Sequence, residues 1–387
     1  MFRIFFFLFS ILFINPVFAS AFFQVSITPE DLKNNYSQAV ADESKKFKIL
    51  IVPGHDNGNW GTEYMGVREA DLNVQVAEYL TQLLRKEKQF EVYLLRNSEG
   101  YDSYFLNYVS NNKNVITDFI NKHKNEMLQL LETGQIDSVN GVEHINAPTD
   151  VVMMLYGANK WANDLDSDIV IHLHFNDYPR RFSDQEGKYS GFSIYIPEKQ
   201  YSNATSSRAV AESVAKSLNK FFATSNYEKE GYGTGIVEDQ ELIAIGAYNT
   251  LKPASLLVEY GYIYEPQFTH PDTREFVLRE LAFQTYLGIK RYFDVEDSFS
   301  AYVLPYYWEK NLKKGIKQSK DVFALQTFLA SKGHYPPTGL NLNDCPITGN
   351  FGDCTFKAVQ QYQSAVKIYP VSGYIGPVTR AKLNATK

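Results

Sequence analysis

The sequence has little cysteine, no cluster of basic residues and no second long apolar run after its first residues. Only two of its 387 residues are cysteines, and neither belongs to a Cys-x-x-Cys pair, which argues against a cysteine-based metal or redox site. The formal net charge is −6 with no basic stripe, which argues against nucleic acid as a partner. The tight His-Glu-x-x-His spacing of many metallopeptidases is also missing. An apolar fraction of 44% nevertheless supports a sizeable core.

The N-terminal stretch MFRIFFFLFSILFINPVFASAFF has the order of a secretory signal: a basic residue, a short apolar run, a proline break and small residues. We expect a signal peptide at residues 1–21, cleaved near Ala19 or Ala21, with no cysteine nearby to receive a lipid. An uncleaved anchor is the alternative. The mature protein is then expected in the periplasm or outside the cell, associated with the wall and without a membrane span.

Strand and helix patterns alternate after a polar lead-in at residues 22–45. FKILIVPGH and FEVYLLR read as strands, and READLNVQVAEYLTQLLRK between them reads as an amphipathic helix. Similar alternation over residues 46–295 predicts one α/β domain with a mostly parallel sheet and helices on both faces. The polar, Asn-rich stretch 99–150 reads as a partly helical insertion. Whether it is a lid, an autoinhibitory element or neither stays open.

The last part of the chain predicts a small all-α module. A Tyr-rich linker at 296–318 leads into residues 319–387. There GNFGDCT and GYIGPVT repeat the pattern Gly-x-apolar-Gly-x-x-Thr, and each copy is followed by a segment with helical spacing. The module has no nucleophile or acid–base pair, so binding is the expected role. Because a unit of this size has a small core, we expect Cys345 and Cys354 to form a disulfide that stabilises it.

Four polar residues stand where strands of the large domain end or where a helix begins: His55, Glu69, His174 and Glu259. The carboxyl ends of strands line the functional crevice in open α/β sheets, so these residues can converge. Two histidines, a carboxylate and a spare glutamate are the parts of a catalytic zinc site. Each also has a structural interpretation, as a helix cap, a first-turn anion or a core side chain. Glu259 is the hardest to explain structurally, because a buried carboxylate needs partners.

The large domain resembles the zinc-dependent N-acetylmuramoyl-L-alanine amidases over about residues 46–293. The similar segments are ILIVPGHDNG, VREADLNVQVAEYLTQLL, VYLLRNSEGYDSYF, DIVIHLHFND and KPASLLVEYGYIYEP. The resemblance implies one Zn²⁺ per catalytic domain, with His55, Glu69 and His174 as ligands and Glu259 as the catalytic carboxylate.

Three further residues are candidates for supporting this site. Arg96 and Asn176 lie within the segments that resemble the family, Asn176 in its His-x-Asn pattern. His172 stands where the family usually has a small polar residue such as serine. We expect it to orient a ligand or its water, and the alternative is that it only fills the strand.

The C-terminal module resembles the peptidoglycan-binding domain that accompanies such enzymes, over about residues 319–385. The matching segments are ALQTFL, GNFGDCT, AVQQYQ and GYIGPVT. Thr348 and Ser372 replace the usual aspartate before glycine, so affinity for glycan or stem peptide could be altered.

These resemblances imply an exported amidase that cuts between N-acetylmuramic acid and the L-alanine of the stem peptide, with peptidoglycan as its partner. A zinc peptidase acting within the stem peptide is one alternative. A catalytically silent wall-binding or activator protein is another. Stem-peptide preference, oligomeric state, envelope type and any protein activator are left open.

Overall fold

The computed structural model describes residues 25–139, 141–142, 147–178, 181–294 and 302–385. The predicted signal peptide at 1–21 lies outside the described residues, as does the start of the predicted linker. No helix among the described residues is both long enough and apolar enough to span a bilayer.

One six-stranded sheet organises the described part of the large domain. The strands in chain order are β1 (Phe47–Pro53), β2 (Glu63–Tyr64), β3 (Val67–Arg68), β4 (Phe90–Leu94), β5 (Arg96–Asn97), β6 (Gly100–Tyr101), β7 (Ile169–Asn176), β8 (Ser193–Pro197), β9 (Ile236–Asp239) and β10 (Ala254–Tyr262). The sheet has the order β4-β1-β7-β10-β8-β9, and β2–β3 and β5–β6 are short separate hairpins. Only the β10–β8 pair is antiparallel within this sheet. The predicted mostly parallel α/β fold is confirmed.

Helices cover both faces of the sheet. The described helices in chain order, of which the last three belong to the C-terminal module, are α1 (Pro29–Ala41), α2 (Glu69–Leu84), α3 (Ser103–Asn111), α4 (Lys113–Glu132), α5 (Thr149–Asp164), α6 (Ala204–Leu218), α7 (Pro266–Thr269), α8 (Pro271–Phe293), α9 (Lys320–Ser331), α10 (Asp353–Ala365) and α11 (Pro377–Ala385). Ile49 and Ile51 of β1 join a core with α2, α6 and α8, whereas Leu50 and Val52 join one with α3 and α5. Because alternate residues of a strand point to opposite faces, the apolar run of β1 supplies both cores.

The predicted polar lead-in contains a helix that the sequence reasoning did not anticipate. Thr28 and Asp31 form a capping box at the start of α1, which fixes where the helix begins. Leu32 is fully buried, and Asn35 donates a hydrogen bond to Asp168 at the start of β7. Helix α1 is therefore packed against the catalytic domain.

The predicted insertion contains α3 and α4. Both helices pack against α5 on one face of the sheet, and Tyr156 and Trp161 of α5 lie in the core between them and the strands. The hydroxyl of Tyr101, just before α3, donates a hydrogen bond to Asp56 Oδ2, 3.0 Å away. This bond connects the start of the insertion to the loop after β1.

The repeat in the C-terminal module has a direct structural cause. Gln326 of α9 accepts a hydrogen bond from the Gly349 N–H and donates one to Thr355. Gln363 of α10 does the same with the Gly373 N–H and Thr379. Each copy of Gly-x-apolar-Gly-x-x-Thr is thus a loop and helix start held by one buried glutamine.

The substituted positions Thr348 and Ser372 keep their loops closed. The Thr348 hydroxyl accepts from the Asn350 N–H, and the Ser372 hydroxyl accepts from the Tyr374 N–H. Short polar side chains commonly make this bond in turns, so both replacements preserve the turn itself.

The module is joined by the predicted disulfide between Cys345 and Cys354. Part of the predicted linker also packs within it: Trp308 is buried, and Leu312 exchanges two backbone hydrogen bonds with Ile375. The module in turn contacts the large domain, where Phe276 of α8 packs edge-on against Phe323 of α9. The described parts of the two units share one continuous apolar core.

Candidate active site

His55, Glu69 and His174 converge at the carboxyl edge of the sheet. His55 follows β1, Glu69 is the first residue of α2, and His174 lies near the end of the neighbouring strand β7. Each offers one ligand atom, and these atoms all lie within 4.8 Å of one another. The structure therefore brings together all three residues predicted as metal ligands.

Glu69 is at the centre of this group. It is 4% exposed, and its two carboxylate oxygens lie 3.2 Å from His55 Nε2 and 3.0 Å from His174 Nδ1. Backbone N–H groups of Thr62 and Phe175 also donate to it. Burial alone would raise the pKa of Glu69, but the charge of His55 and hydrogen bonds from both imidazoles outweigh burial and hold it well below its usual value. Glu69 is thus kept as an anion.

The pKa values of the two imidazoles are shifted in opposite directions. Burial lowers the pKa of His174, although Glu69 opposes the shift. Burial is also the largest cause acting on His55, but the charge of Glu69 and the hydrogen bond to it together outweigh burial, so the pKa of His55 is raised. The rings lie edge to face with centroids 5.1 Å apart. A neutral His174 has a nitrogen lone pair available for a cation.

Two glycines allow the backbone to approach this group closely. A Cβ atom on Gly54 would lie 2.2 Å from His174 Nε2, and one on Gly61, which has φ +74°, would lie 2.2 Å from Glu69 Oε2. Any other residue would push into the donor atoms. The close-fitting backbone and the donor set of two imidazoles and one carboxylate suit a catalytic zinc ion with three protein ligands.

Arg96 and Asn73 hold the segments that carry the predicted ligands. Arg96 is buried and donates to the carbonyls of Gly54 and Ala70, each at 3.1 Å, so it connects the residue before His55 with the residue after Glu69. Asn73 donates to Gly54 O as well. Sequence reasoning singled out Arg96 but missed Asn73, although Asn73 lies one turn after Glu69 on the same helix face.

Glu259 lies on β10, directly opposite His174 of β7. Its Oε2 is buried and has no hydrogen-bond partner among the described residues. Burial, followed by the negative charges of Glu69 and Glu230, raises the pKa of Glu259 well above its ordinary value. A carboxyl group whose oxygen is buried and makes no structural hydrogen bond is available for general acid–base catalysis.

Glu230 is a third buried carboxylate in this region, after Glu69 and Glu259, and was not predicted. It accepts hydrogen bonds from Asn176 Nδ2 at 2.9 Å, from the hydroxyls of Tyr195 and Tyr262, and from Ser225 Oγ. Asn176, predicted to support the metal site, thus contacts Glu230 among the described residues. Glu230 comes from the polar segment between α6 and β9, where no pattern in the sequence distinguishes it.

His172 lies below the site on β7, between Val52 of β1 and Leu257 of β10. It is 1% exposed, and neither ring nitrogen has a hydrogen-bond partner among the described residues. Burial, followed by the charge of His174, lowers its pKa to about 3. His172 is therefore a neutral imidazole, and the structure shows no hydrogen bond from it to a predicted ligand.

Solved structures similar to this chain include three N-acetylmuramoyl-L-alanine amidases. N-acetylmuramoyl-L-alanine amidase from Clostridium difficile 630 is 18% identical, with 65% of this chain and 98% of that chain covered and a TM-score of 0.39. AmiC2 of Nostoc punctiforme is 15% identical, with 64% and 96% covered and a TM-score of 0.38. Ami1 from Mycobacterium smegmatis is 14% identical, with 64% and 96% covered and a TM-score of 0.41. No curated protein matches the chain.

Family models match both parts of the sequence. Residues 318–383 match the model of a peptidoglycan binding domain. Residues 49–291, more than half of the chain, match the model described as N-acetylmuramoyl-L-alanine amidase. Both resemblances expected from the sequence are thereby confirmed. The chain belongs to the N-acetylmuramoyl-L-alanine amidase family.

Proposed function

We propose that this chain hydrolyses the amide bond between the lactyl group of N-acetylmuramic acid and the first L-alanine of the stem peptide, using a zinc ion held by His55, Glu69 and His174. Membership of the amidase family supports the reaction. The observation that carries the site assignment is the convergence of three donor atoms within 4.8 Å, with Glu259 on the adjacent strand.

Three protein ligands would leave the remaining coordination positions of a zinc ion open to a water molecule and to the carbonyl oxygen of the substrate. When bound in such a site, a zinc ion lowers the pKa of a water and polarises the carbonyl oxygen of the substrate. Arg96 holds the segments that carry the donors before substrate arrives, and Gly54 and Gly61 leave the space that the donor atoms occupy. This arrangement reduces the reorganisation needed during reaction.

Glu259 would move the proton. Its carboxylate form takes a proton from the attacking water, whose oxygen bonds to the lactyl carbonyl carbon. The carbon–nitrogen bond then breaks, and the same proton passes from Glu259 to the leaving amine of L-alanine. The buried, unpartnered Oε2 of Glu259 supports this assignment, because it is not committed to a structural hydrogen bond.

Residues 319–387 would hold the enzyme on the wall, and residues 1–21 would export it. The match to a peptidoglycan binding domain supports the first role. The order of residues in the N-terminal segment supports the second. The substrate and the partner of the module are then the same polymer.

Product analysis of digested wall tests this function. Purified peptidoglycan is incubated with the full chain, with and without a zinc chelator, and the products are identified by mass spectrometry. We expect a free lactyl carboxylate on muramic acid and an unmodified L-alanine amino terminus, both lost on chelation. The matched variant Glu259→Gln should release far less of both products in the same time.

Other products would reject the proposal. New termini within the stem peptide would identify a peptidase. No product, together with no bound zinc in the purified protein, would identify a wall-binding protein without catalysis.

A further inference from the structure

Trp60 is an exposed aromatic residue at the rim of the site. The sequence has three tryptophans, of which Trp161 and Trp308 are buried while Trp60 is 40% exposed. Trp60 precedes Gly61, where an added Cβ atom would lie 2.2 Å from Glu69 Oε2 and 2.8 Å from His55 Nε2. Because successive Cα atoms are about 3.8 Å apart, the Trp60 side chain leaves the backbone within roughly 8 Å of Glu69 Oε2 and His55 Nε2.

The loop that carries Trp60 is rigidly held. The Trp60 carbonyl accepts from the Ala70 N–H at 3.0 Å, and the Thr62 N–H donates to Glu69. Asp56 closes the start of the loop by accepting from two backbone N–H groups, those of Gly58 and Asn59. An aromatic side chain on such a loop loses little conformational freedom when a ligand binds.

Arg68 covers one face of the indole. Its guanidinium carbon lies 4.5 Å from the ring centroid, and its Nε lies 3.6 Å from Glu63. Arg68 immediately precedes the ligand Glu69. A tryptophan supported on one face by a cation presents its exposed surface in a fixed orientation.

The proposed substrate places a sugar ring close to the reacting carbonyl. Only one carbon atom and one ether oxygen separate the lactyl carbonyl carbon from the ring of N-acetylmuramic acid. The C–H groups of a sugar ring form an apolar face that packs well on an aromatic surface. We infer that Trp60, supported by Arg68, is a specificity residue that stacks against the muramic acid ring, an inference that rests on the proposed function.

Two soluble substrates test this inference in the full-length protein. One is a muramyl dipeptide, and the other is the same lactyl dipeptide without the sugar. The variant Trp60→Ala should lower kcat/KM for the muramyl dipeptide by about tenfold, the scale of one aromatic packing contact, mainly by raising KM. It should leave kcat/KM for the sugar-free substrate unchanged. Trp60→Phe should restore most of the loss.

A control variant and a binding measurement complete the test. Tyr104→Ala removes an aromatic side chain that is 79% exposed on α3, and it should affect neither substrate. Titration with N-acetylmuramic acid should change the tryptophan fluorescence of the wild-type chain, and Trp60→Phe should abolish the change.

The possible failures are distinguishable. If Trp60→Ala affects both substrates equally, or affects neither, the inference is wrong while the proposed function stands. If the wild-type chain cleaves neither soluble substrate, the fluorescence titration alone decides whether Trp60 binds the sugar. The proposed function is wrong only if the expected products are also absent from digested wall.

Discussion

Glu259 and His174 face each other across the parallel strands β10 and β7. Paired residues on neighbouring strands point to the same face of a sheet, so the catalytic candidate and a metal-ligand candidate share one surface. His172, two residues earlier on β7, shares that face as well. The carboxyl group of Glu259 therefore lies beside the donor cluster of His55, Glu69 and His174. Glu259 does not belong to that cluster.

This separation predicts different consequences for the two residues. Glu259→Gln keeps the shape of the side chain but removes the base, so zinc should stay bound while turnover falls by roughly two orders of magnitude or more. His174→Ala should lose zinc and activity together, because one of three ligands is gone. Metal analysis and kinetics on the same preparations check both. If Glu259→Gln loses zinc, Glu259 is a ligand and the assigned roles are wrong.

A second prediction concerns the charge of Glu230. Burial is the first cause that raises the pKa of Glu259, and the negative charges of Glu69 and Glu230 add to it. Removing one negative charge with Glu230→Gln should therefore lower the pKa of Glu259 and move the acidic limb of the kcat/KM profile to lower pH. Ser225→Ala removes one hydrogen bond to Glu230 but no charge, so it should leave the limb in place. An unshifted limb in both variants would contradict this electrostatic coupling.

The mostly parallel sheet and the edge where the site forms could be predicted, because apolar runs and βα alternation specify a parallel sheet and its functional edge. Glu230 could not. It lies between regular elements, and only the tertiary fold brings Asn176, Tyr195 and Tyr262 around it. Helix α1 was missed for a related reason: its sequence is polar, and it is stabilised by its capping box and by the burial of Leu32.

A third prediction concerns the contact between the C-terminal module and the catalytic domain, which deletion of the module would remove. Phe276 of α8 packs against Phe323 and Tyr306, and Phe222 also approaches Phe323. Deleting residues 319–387 should therefore lower the melting temperature of the remaining chain, since these aromatic side chains become exposed. Calorimetry of both forms measures the change, and an unchanged melting temperature would show that the contact contributes no stability.

The same truncation tests the anchoring role of the module. The folded, zinc-loaded fraction should still hydrolyse a soluble muramyl peptide but should pellet less with insoluble wall. Loss of the soluble activity in that fraction would mean that the module contributes to catalysis.

The disulfide gives a fourth prediction. Cys345 and Cys354 are nine positions apart, and a crosslink that closes so short a loop stabilises a fold by roughly 2–3 kcal/mol. Replacing both cysteines with serine should lower the melting temperature of the full chain. Peptide mapping without reductant should find the two cysteines joined in protein recovered from an oxidising compartment. Two free thiols in such protein would contradict the pairing.

The last prediction uses Glu280, a fully buried carboxyl group on α8. It accepts hydrogen bonds from the Leu304 N–H and from Gln284, yet burial raises its pKa to about 7. The folded chain therefore holds this proton to higher pH than the unfolded chain, whose glutamates titrate near 4.5. As pH rises from about 4.5 to about 7, Glu280 should lower the free energy of unfolding by about 3 kcal/mol, since each unit of pKa shift corresponds to about 1.4 kcal/mol.

Glu280→Gln cannot titrate, so it should remove this contribution. Any constant change in stability cancels when each protein is compared with itself across pH. The free energy of unfolding is measured by denaturant titration from pH 5 to pH 8 for wild type and variant. Relative to wild type, Glu280→Gln should gain stability as pH rises. Glu275→Gln on the exposed face of α8 is the matched control, and its difference from wild type should show much less dependence on pH over this range. Parallel curves for wild type and Glu280→Gln would mean that Glu280 has the same pKa in the folded and unfolded chain.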